Sequence, residues 1–204
     1  MKKKTREFII DTAIDLFNKQ GSHSITTNHI AKACSISPGN LYYHFSNKEE
    51  IIRNIFMMII SDFSSIMTYN AEQAGRLPDL TVMSRNMGEL YFKYRFFYLE
   101  LPSLLALDSS LAELYHDNEK IKHSIIKEYI NSMILLKLVK PGLDNTDIDA
   151  FVSNTWILTD FWLSYLFVSG EKITRENIMR GMNNFIFSIR PFLSAKGLKF
   201  ISGE

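Results

Sequence analysis

The chain has 204 residues, enough for one large domain or for a small domain joined to a larger one. Its 46% hydrophobic and 22% charged residues are an ordinary globular balance, its single cysteine excludes an internal disulfide, and no segment resembles a membrane span. We therefore expect a cytoplasmic protein that does not enter the membrane. Residues 1–53 carry eight Lys or Arg against five Asp or Glu, which is compatible with an N-terminal part that binds a polyanion.

Apolar residues recur at spacings of three and four throughout the chain, and runs with strand-like alternation are absent. We therefore predict an all-α protein of about nine helices. The first helix carries its apolar stripe at Ile10, Ala13, Ile14 and Phe17, and Gly21 is expected to end it.

Two short helices follow the first one. The second begins near Thr26 or Thr27, whose hydroxyls are good N-caps. The third is the stretch PGNLYYHF, in which Pro38 suits the first helical position. A four-residue turn, CSIS, joins them, which is the arrangement of a helix-turn-helix motif.

A longer fourth helix begins close to the end of this motif. Ser46 and Glu49 form a capping-box pattern, which predicts a helix that runs toward Met67. A turn is predicted after it, at residues 72–80.

The remaining helices are predicted from apolar residues at helical spacing and from the prolines, glycines and capping residues at their ends. A helix with one apolar seam over residues 83–97 is expected to break at Pro102. A second capping-box pattern, at Ser110 and Glu113, begins a helix that ends near residue 140. Two further helices are predicted: residues 146–168 and residues 174–193.

The third predicted helix has an apolar side and a polar, aromatic side. Leu41 and Phe45 stand four residues apart and can anchor it inward. The outward positions are Gly39, Asn40, Tyr43 and His44. An amide can contact adenine, tyrosines can donate to phosphate, and a glycine lets the backbone come close to DNA. On the residues alone, a helical hairpin whose tyrosines are amphipathic surface cover remains an alternative.

The stretch ITTNHIAKACSISPGNLYYHFSNKEEII, residues 25–52, resembles the DNA-binding domain of the TetR/AcrR family of bacterial transcriptional regulators. It carries the Thr-Thr start, Ile-Ala, Leu-Tyr-x-His-Phe and Lys-Glu-x-Ile elements of that family's pattern. Upstream, REFIIDTAIDLFNKQG is similar to the family's first helix. The resemblance implies a helix-turn-helix domain over residues 1–47 and a ligand-binding and dimerisation domain over residues 48–204.

The same resemblance implies which residues contact DNA. They lie at the start of the second helix, in the third helix and in the first turn of the fourth: Thr27, Asn28, Ser37, Gly39, Asn40, Tyr42, Tyr43, His44 and Lys48. Ser35 is a departure, because the family usually has glycine in this turn. If the position needs a positive φ, serine costs about 1 kcal/mol relative to glycine. We expect a small loss of stability rather than of function.

In this family the second domain binds a small molecule, usually a lipophilic one. Aromatic side chains and methionines, which suit an adaptable apolar cavity, are frequent in this part of the chain, although any one of them at helical spacing is more often ordinary core. The predicted pocket residues are Phe63, Met67, Met87, Tyr91, Tyr94, Tyr129, Met133, Trp156 and Trp162. We expect a hydrophobic or aromatic effector, because few Lys or Arg fall within these apolar stripes.

The run WILTDFWLSYLFV is apolar nearly all round, and the last predicted helix carries an apolar seam at steps of four, three and four residues. Both features favour packing against a second copy of the chain. The predicted interface residues are Phe161, Leu166, Ile178, Met182, Phe185 and Ile189. A homodimer would place two recognition helices in successive major grooves, about 34–36 Å apart, on a pseudo-palindromic operator. A single thick core is the alternative.

The sequence lacks the motifs that are typical of enzymes and of metal-binding proteins. The sequence has no GxSxG, no HExxH and no phosphate-cradling glycine loop, and its one Glu-x-x-His pair, Glu113 and His116, has no second copy. We expect no cofactor, no metal and no catalytic residue. The sequence predicts a homodimeric repressor that a hydrophobic molecule releases from double-stranded DNA. A helical lipophile-binding or scaffold protein that has lost DNA binding is the alternative.

Overall fold

The computed structural model describes residues 2–71 and 80–202. Within these residues the chain forms α1 (Lys2–Gln20), α2 (Thr27–Ala33), α3 (Pro38–His44), α4 (Lys48–Ala71), α5 (Leu80–Lys93), α6 (Arg95–Leu107), α7 (Ser109–Leu135), α8 (Asn145–Asp160), α9 (Trp162–Val168), α10 (Arg175–Ile189) and α11 (Ala195–Ser202). The turn predicted at residues 72–80 lies, apart from Leu80, outside the described residues. None of the described helices is long and apolar enough to cross a lipid bilayer.

The all-α prediction is confirmed, with eleven α-helices in the described part of the chain where about nine were predicted. Two predicted helices are each divided, at Tyr94 and at Phe161, and α11 was not predicted. Both division points have a non-helical backbone, with ψ near zero or positive. The count therefore changed without a change in fold class.

The prediction that Pro102 breaks a helix is wrong, because the break lies at Tyr94. Asn18 of α1 holds the two helix ends at this break. Its Nδ2 donates to the Lys93 carbonyl at 2.8 Å, and its Oδ1 accepts from the Phe96 N–H at 3.1 Å. One amide from a distant helix thus satisfies a last carbonyl and a first N–H that the break leaves open.

Pro102 lies inside α6 on the exposed side of the helix. Proline removes one backbone donor, which normally disfavours a helix interior. Leu101 and Leu104, on either side of it, are buried, and their burial opposes that loss.

The start of α4 differs from the predicted capping box of Ser46 and Glu49. The cap is Asn47, whose Oδ1 accepts from the Glu50 N–H at 2.8 Å, while the Glu50 carboxylate accepts from the Ser46 N–H at 2.7 Å. The cap therefore lies one residue later than predicted because α4 begins at Lys48, and the Glu50 carboxylate binds the N–H of the residue before the cap.

The start of α7 also differs from prediction, since Asp108 caps it and Ser110 does not. Asp108 Oδ1 accepts from the N–H groups of Ser110 and Leu111 at 3.1 and 3.2 Å. Its other oxygen pairs with Arg53 of α4 at 2.6 Å. A carboxylate is well placed here because it meets both the helix dipole and a cation.

The turn between α2 and α3 contains Ser35 with a φ of 56°, so the position does need the left-handed backbone region. The Ile36 N–H donates to the Ala31 carbonyl at 3.0 Å, and the Ser35 N–H donates to the Lys32 carbonyl at 3.1 Å. These two bonds form a Schellman motif, whose left-handed position glycine usually occupies.

Four of the predicted interface residues lie inside the chain and cannot contact a partner: Leu166, Ile178, Met182 and Ile189. The α10 seam faces inward because α10 packs on α5, where Gly88 leaves room for the Met179 and Met182 side chains. These four residues therefore pack within the chain, as the alternative of a single thick core expects.

Candidate nucleic-acid interface and internal cavity

The helix α3 is anchored on one side and exposed on the other. Leu41 and Phe45 are 0% and 1% exposed, and the Arg6 guanidinium of α1 lies 4.6 Å from the centre of the Phe45 ring. Gly39 and Asn40 are exposed, with open space around Gly39 where a side chain would stand. The two buried side chains hold α3 against the rest of the protein, and the exposed residues leave the other face of the helix open to solvent.

The exposed face of α3 is tied to α2 by a hydroxyl pair. Thr27 Oγ1 and the Tyr42 hydroxyl are 3.0 Å apart. Ser37 caps α3, because its Oγ accepts from the Asn40 N–H at 3.2 Å. The Thr27–Tyr42 contact joins α3 to α2, and the Ser37 cap stabilises the start of α3.

The nine predicted DNA-contact residues lie in α2, in α3 together with its N-cap Ser37, and in the first turn of α4. Tyr42 and Tyr43 are 51% and 62% exposed, and the Tyr43 ring stands edge-on to the ring of His44 at 5.3 Å. Asn28 is exposed, and Thr27 is half-buried under Tyr42. Two aromatic rings and two amides on a small surface suit contacts with sugar, phosphate and base edges.

Lys48 has a structural contact that the sequence did not indicate. Its Nζ donates to the Ser22 carbonyl at 2.8 Å, and the Ser22 N–H donates to Glu100 of α6 at 2.9 Å. The ammonium group has three donors, so this bond leaves others for a phosphate. Lys48 therefore links the loop after α1 to the exposed end of α4.

A cavity of about 110 Å³ lies between α4, α5, α7, α8 and α10. Its walls are apolar over most of their surface. Seven of the nine predicted pocket residues line it: Phe63, Met67, Met87, Tyr91, Tyr129, Met133 and Trp156. The interface residues Met182, Phe185 and Ile189 also line it, because α10 faces inward.

Tyr94 and Trp162 were predicted to line the cavity but pack elsewhere. Tyr94 lies at the α5–α6 break, where its hydroxyl donates to Asp62 of α4 at 2.8 Å, and burial raises its pKa to about 12. Trp162 packs against Gly181 and donates to the Asn177 carbonyl at 2.9 Å. Both rings are held by their own polar atoms in the core.

One end of the cavity adjoins a buried carboxylate. Asp160 is 1% exposed and accepts hydrogen bonds from the Tyr91 hydroxyl at 3.1 Å, the Tyr115 hydroxyl at 3.0 Å and the Trp156 indole at 3.2 Å. Lys122 lies 3.2 Å from the same carboxylate. Burial, with Asp160 adding to it, raises the pKa values of Tyr91 and Tyr115, so both rings stay neutral donors.

Lys122 joins Asp160 to a second carboxylate, Glu119, which lies 2.9 Å from its Nζ. Glu119 is 7% exposed and, with Lys122 and His123, lines the cavity. Sequence reasoning missed this cluster. The available signal was Asp160 itself, a lone charge within the apolar run WILTDFWLSYLFV, because a charge that lies among buried positions needs a partner.

Apolar side chains from three adjoining helices lie on the outside. Ile157 of α8 and Phe187 of α10 are 56% and 72% exposed, and Phe161, which caps α9, and Tyr165 within α9 are also exposed. Exposed apolar side chains in such numbers mark sites where another molecule packs. We call these four residues, whose helices α8, α9 and α10 contact one another, the outer apolar patch.

These observations define a helical protein with a helix-turn-helix at one end and an apolar cavity in its second part. The family model described as "Bacterial regulatory proteins, tetR family" matches residues 9–55, and the model described as "Bacterial transcriptional repressor" matches residues 61–200. The chain therefore belongs to the TetR family and is a transcriptional regulator of that family. The resemblance on residues 25–52 is confirmed.

Individual relatives agree with this assignment. The regulator UidR of Escherichia coli is 43% identical over 53 residues, which is 26% of this chain, and the match spans only 27% of UidR. A TetR-family regulator from Marinobacter aquaeolei VT8 has a TM-score of 0.84 and 26% identity, covering 97% of this chain and 95% of that one. A regulator from Saccharomonospora viridis, solved in complex with choline, has a TM-score of 0.72 and 17% identity, covering 94% and 99%.

Proposed function

We propose that the protein is a homodimeric repressor that binds a pseudo-palindromic operator through α3 and is released when a hydrophobic small molecule occupies the cavity. The observation that carries this is the pairing, in one chain of the TetR family, of an exposed α3 face with an apolar cavity whose wall includes α4. In this proposal residues 1–47 form the DNA-binding part and residues 48–204 the effector and dimer part.

The DNA contacts follow from the exposed groups of α3. Asn40 supplies an amide for base edges, the Tyr42 and Tyr43 rings pack on sugar and phosphate, and Lys48 neutralises a phosphate. Operator affinity must then fall steeply with salt, by about a thousandfold for a fourfold rise in concentration, because several phosphates are neutralised per dimer.

The test is fluorescence anisotropy of a labelled duplex from DNA upstream of the protein's own coding sequence, against a scrambled duplex. Asn40→Ala should weaken operator binding by about 1–3 kcal/mol and reduce the preference over the scrambled duplex. Lys48→Ala should weaken both duplexes alike. Equal affinity of the wild-type protein for operator and scrambled DNA contradicts the repressor proposal and supports the rival, a lipophile-binding or scaffold protein without DNA binding.

The cavity is connected to α3 through two elements. Phe63 and Met67 in the cavity wall belong to α4, which begins four residues after the end of α3. Tyr91, also in the wall, belongs to α5, whose last carbonyl is held by Asn18 of α1. A ligand that shifts α4 or α5 therefore changes the position of the helix-turn-helix, and it favours one position by its differential affinity for the two states.

The dimer in this proposal forms through the outer apolar patch, which takes the place of the predicted α10 seam. Members of the family typically act as dimers, and two recognition helices are needed for a two-fold operator. Phe187→Glu should give a monomer in sedimentation analysis, because it places a charge in an apolar contact. The matched control is Leu135→Glu, an equally exposed leucine at the end of α7. A Phe187→Glu protein that remains dimeric contradicts this interface.

The nature of the effector follows from the walls of the cavity. Aromatic rings and methionine side chains make up most of the lining, which favours an apolar or aromatic body. The regulator from Saccharomonospora viridis, which shares the fold, was solved in complex with choline, so a protein of this fold can take a small organic molecule.

A further inference from the structure

The cavity contains polar atoms that lack partners. Ser84 Oγ, Glu119 Oε2 and His123 Nε2 are buried and have no hydrogen-bond partner among residues 2–71 and 80–202, and all three residues line the cavity. Buried polar atoms in native proteins are nearly always paired, because an unpaired one loses its hydration without compensation. Three such atoms around one cavity indicate a ligand that supplies the missing partners.

The charges around the cavity are unequal. Glu119 and Asp160 are two carboxylates, and Lys122 is the only Lys or Arg among the described lining residues. Lys122 bonds to both carboxylates, and Asp160 is further stabilised by donors from Tyr91, Tyr115 and Trp156. The uncompensated negative charge therefore falls on Glu119, whose second oxygen has no donor in the described part of the chain.

We propose that the effector carries a protonated amine on a compact apolar body, and that its N–H groups donate to Glu119 Oε2 and His123 Nε2. This rests on the proposed function, in which the cavity holds the effector. Glu119 and His123 are four residues apart on α7, so they share one face of the helix. One ammonium group with several N–H donors satisfies both acceptors and balances the charge.

The remaining walls favour the same ligand class. Rings of Phe63, Tyr91, Tyr129, Phe151 and Trp156 line the cavity, and their faces attract cations. The volume of about 110 Å³ is close to the roughly 150 Å³ of a cavity that holds benzene, so the apolar body is about one ring in size. An anionic ligand would add a third negative charge beside two carboxylates, whose one lysine is already bonded.

The raised pKa of Glu119 is consistent with a carboxylate that has no cation beside its second oxygen. Burial, the largest cause, raises the pKa of Glu119 despite the opposing field of Lys122, and Asp160 raises it further. A bound ammonium would favour the ionised carboxylate and reverse this change. Ligand binding would then be coupled to proton release.

The experiment is calorimetric titration of the full-length protein with three single-ring probes of similar shape. Benzylamine is cationic, benzyl alcohol is neutral and benzoate is anionic at neutral pH. The variant is Glu119→Gln, which removes the charge, keeps the shape and leaves Lys122 paired with Asp160. Glu113→Gln is the matched control, because Glu113 is an exposed glutamate on the same helix.

We expect benzylamine to bind tightest and benzoate weakest. Glu119→Gln should weaken benzylamine by about 10- to 100-fold, the loss expected for a charge-assisted hydrogen bond. It should leave benzyl alcohol within about twofold, which also shows that the variant keeps its cavity. Glu113→Gln should bind all three probes as the wild-type protein does.

Tighter binding of benzyl alcohol or benzoate by the wild-type protein overturns the inference, and this comparison needs no variant. Benzylamine affinity that survives Glu119→Gln also overturns it. If benzoate binds and the protein then dissociates from the operator, the proposed function stands and only the inference of an amine effector is wrong. If no probe binds at millimolar concentration, the inference falls together with the effector part of the proposed function, while operator binding is still judged by its own assay.

Discussion

Ser35 occupies a backbone conformation that disfavours every residue except glycine, so Ser35→Gly should stabilise the protein. At a φ of 56° the serine Cβ crowds the following carbonyl, which costs roughly 1–2 kcal/mol. Glycine removes that crowding but gains freedom in the unfolded chain, which returns about 0.5–1 kcal/mol. The difference is about 0–1.5 kcal/mol, and its midpoint of about 0.8 kcal/mol corresponds to roughly 2–3 °C in Tm for a chain of this size.

The assay is urea denaturation followed by circular dichroism, with every variant at the same protein concentration because the stability of the proposed dimer would depend on it. Ser35→Ala is the first control, because alanine keeps the crowded Cβ and should give no gain. Lys137 is the second: it has a φ of 58° and the same pair of closing bonds, from its own N–H to the Ile134 carbonyl and from the Leu138 N–H to the Met133 carbonyl. Lys137→Gly should therefore give a gain of similar size.

Equal stability of Ser35→Gly and Ser35→Ala would show that the Cβ is not crowded in this turn, because the two variants differ only in the Cβ. The hydrogen bonds of the turn are made by backbone groups, so glycine leaves the α2–α3 angle in place. Operator affinity should accordingly change by less than about twofold.

Three further predictions concern the side chains of Asn18, Glu119 and Tyr42. Asn18→Ala should lower the free energy of unfolding by about 1–3 kcal/mol in urea titration, because it leaves two backbone groups at the α5–α6 break without partners. Glu119→Gln should raise the Tm of the ligand-free protein at neutral pH, since the raised pKa means that folding disfavours the ionised carboxylate; the gain should shrink as pH falls through that pKa. Tyr42→Phe should weaken operator binding in anisotropy by about two- to tenfold, through loss of the Thr27 contact.

The helix-turn-helix was readable from the sequence because local signals determine it. Each signal depends on residues within one or two helical turns. These signals are Pro38 at the first position of α3, the buried pair Leu41 and Phe45, and the positive φ at Ser35. Most of the residues that line the cavity could be predicted for a different reason. Aromatic and methionine side chains at helical spacing form the buried faces of their helices, and the cavity lies between those buried faces.

The sequence could not show features that depend on distant contacts. The break at Tyr94 is held by Asn18, more than seventy residues earlier, while Pro102 gave a stronger local signal. The inward direction of the α10 seam depends on Gly88, where α5 makes room for it. The partner of Asp160 lies on α7, so the lone carboxylate was visible but its cluster was not.

Control of operator binding by the filling of the cavity can be tested without knowledge of the effector. Ser84 of α5 is buried and lines the cavity, so Ser84→Met places an apolar side chain where a ligand would lie. The measurement is operator affinity by anisotropy, with Ser84→Ala as the control that removes the hydroxyl without filling the space. We predict that Ser84→Met weakens operator binding by about 5- to 150-fold relative to Ser84→Ala, with scrambled DNA bound equally by both. Equal operator affinity of the two variants would contradict the coupling of cavity and DNA-binding surface.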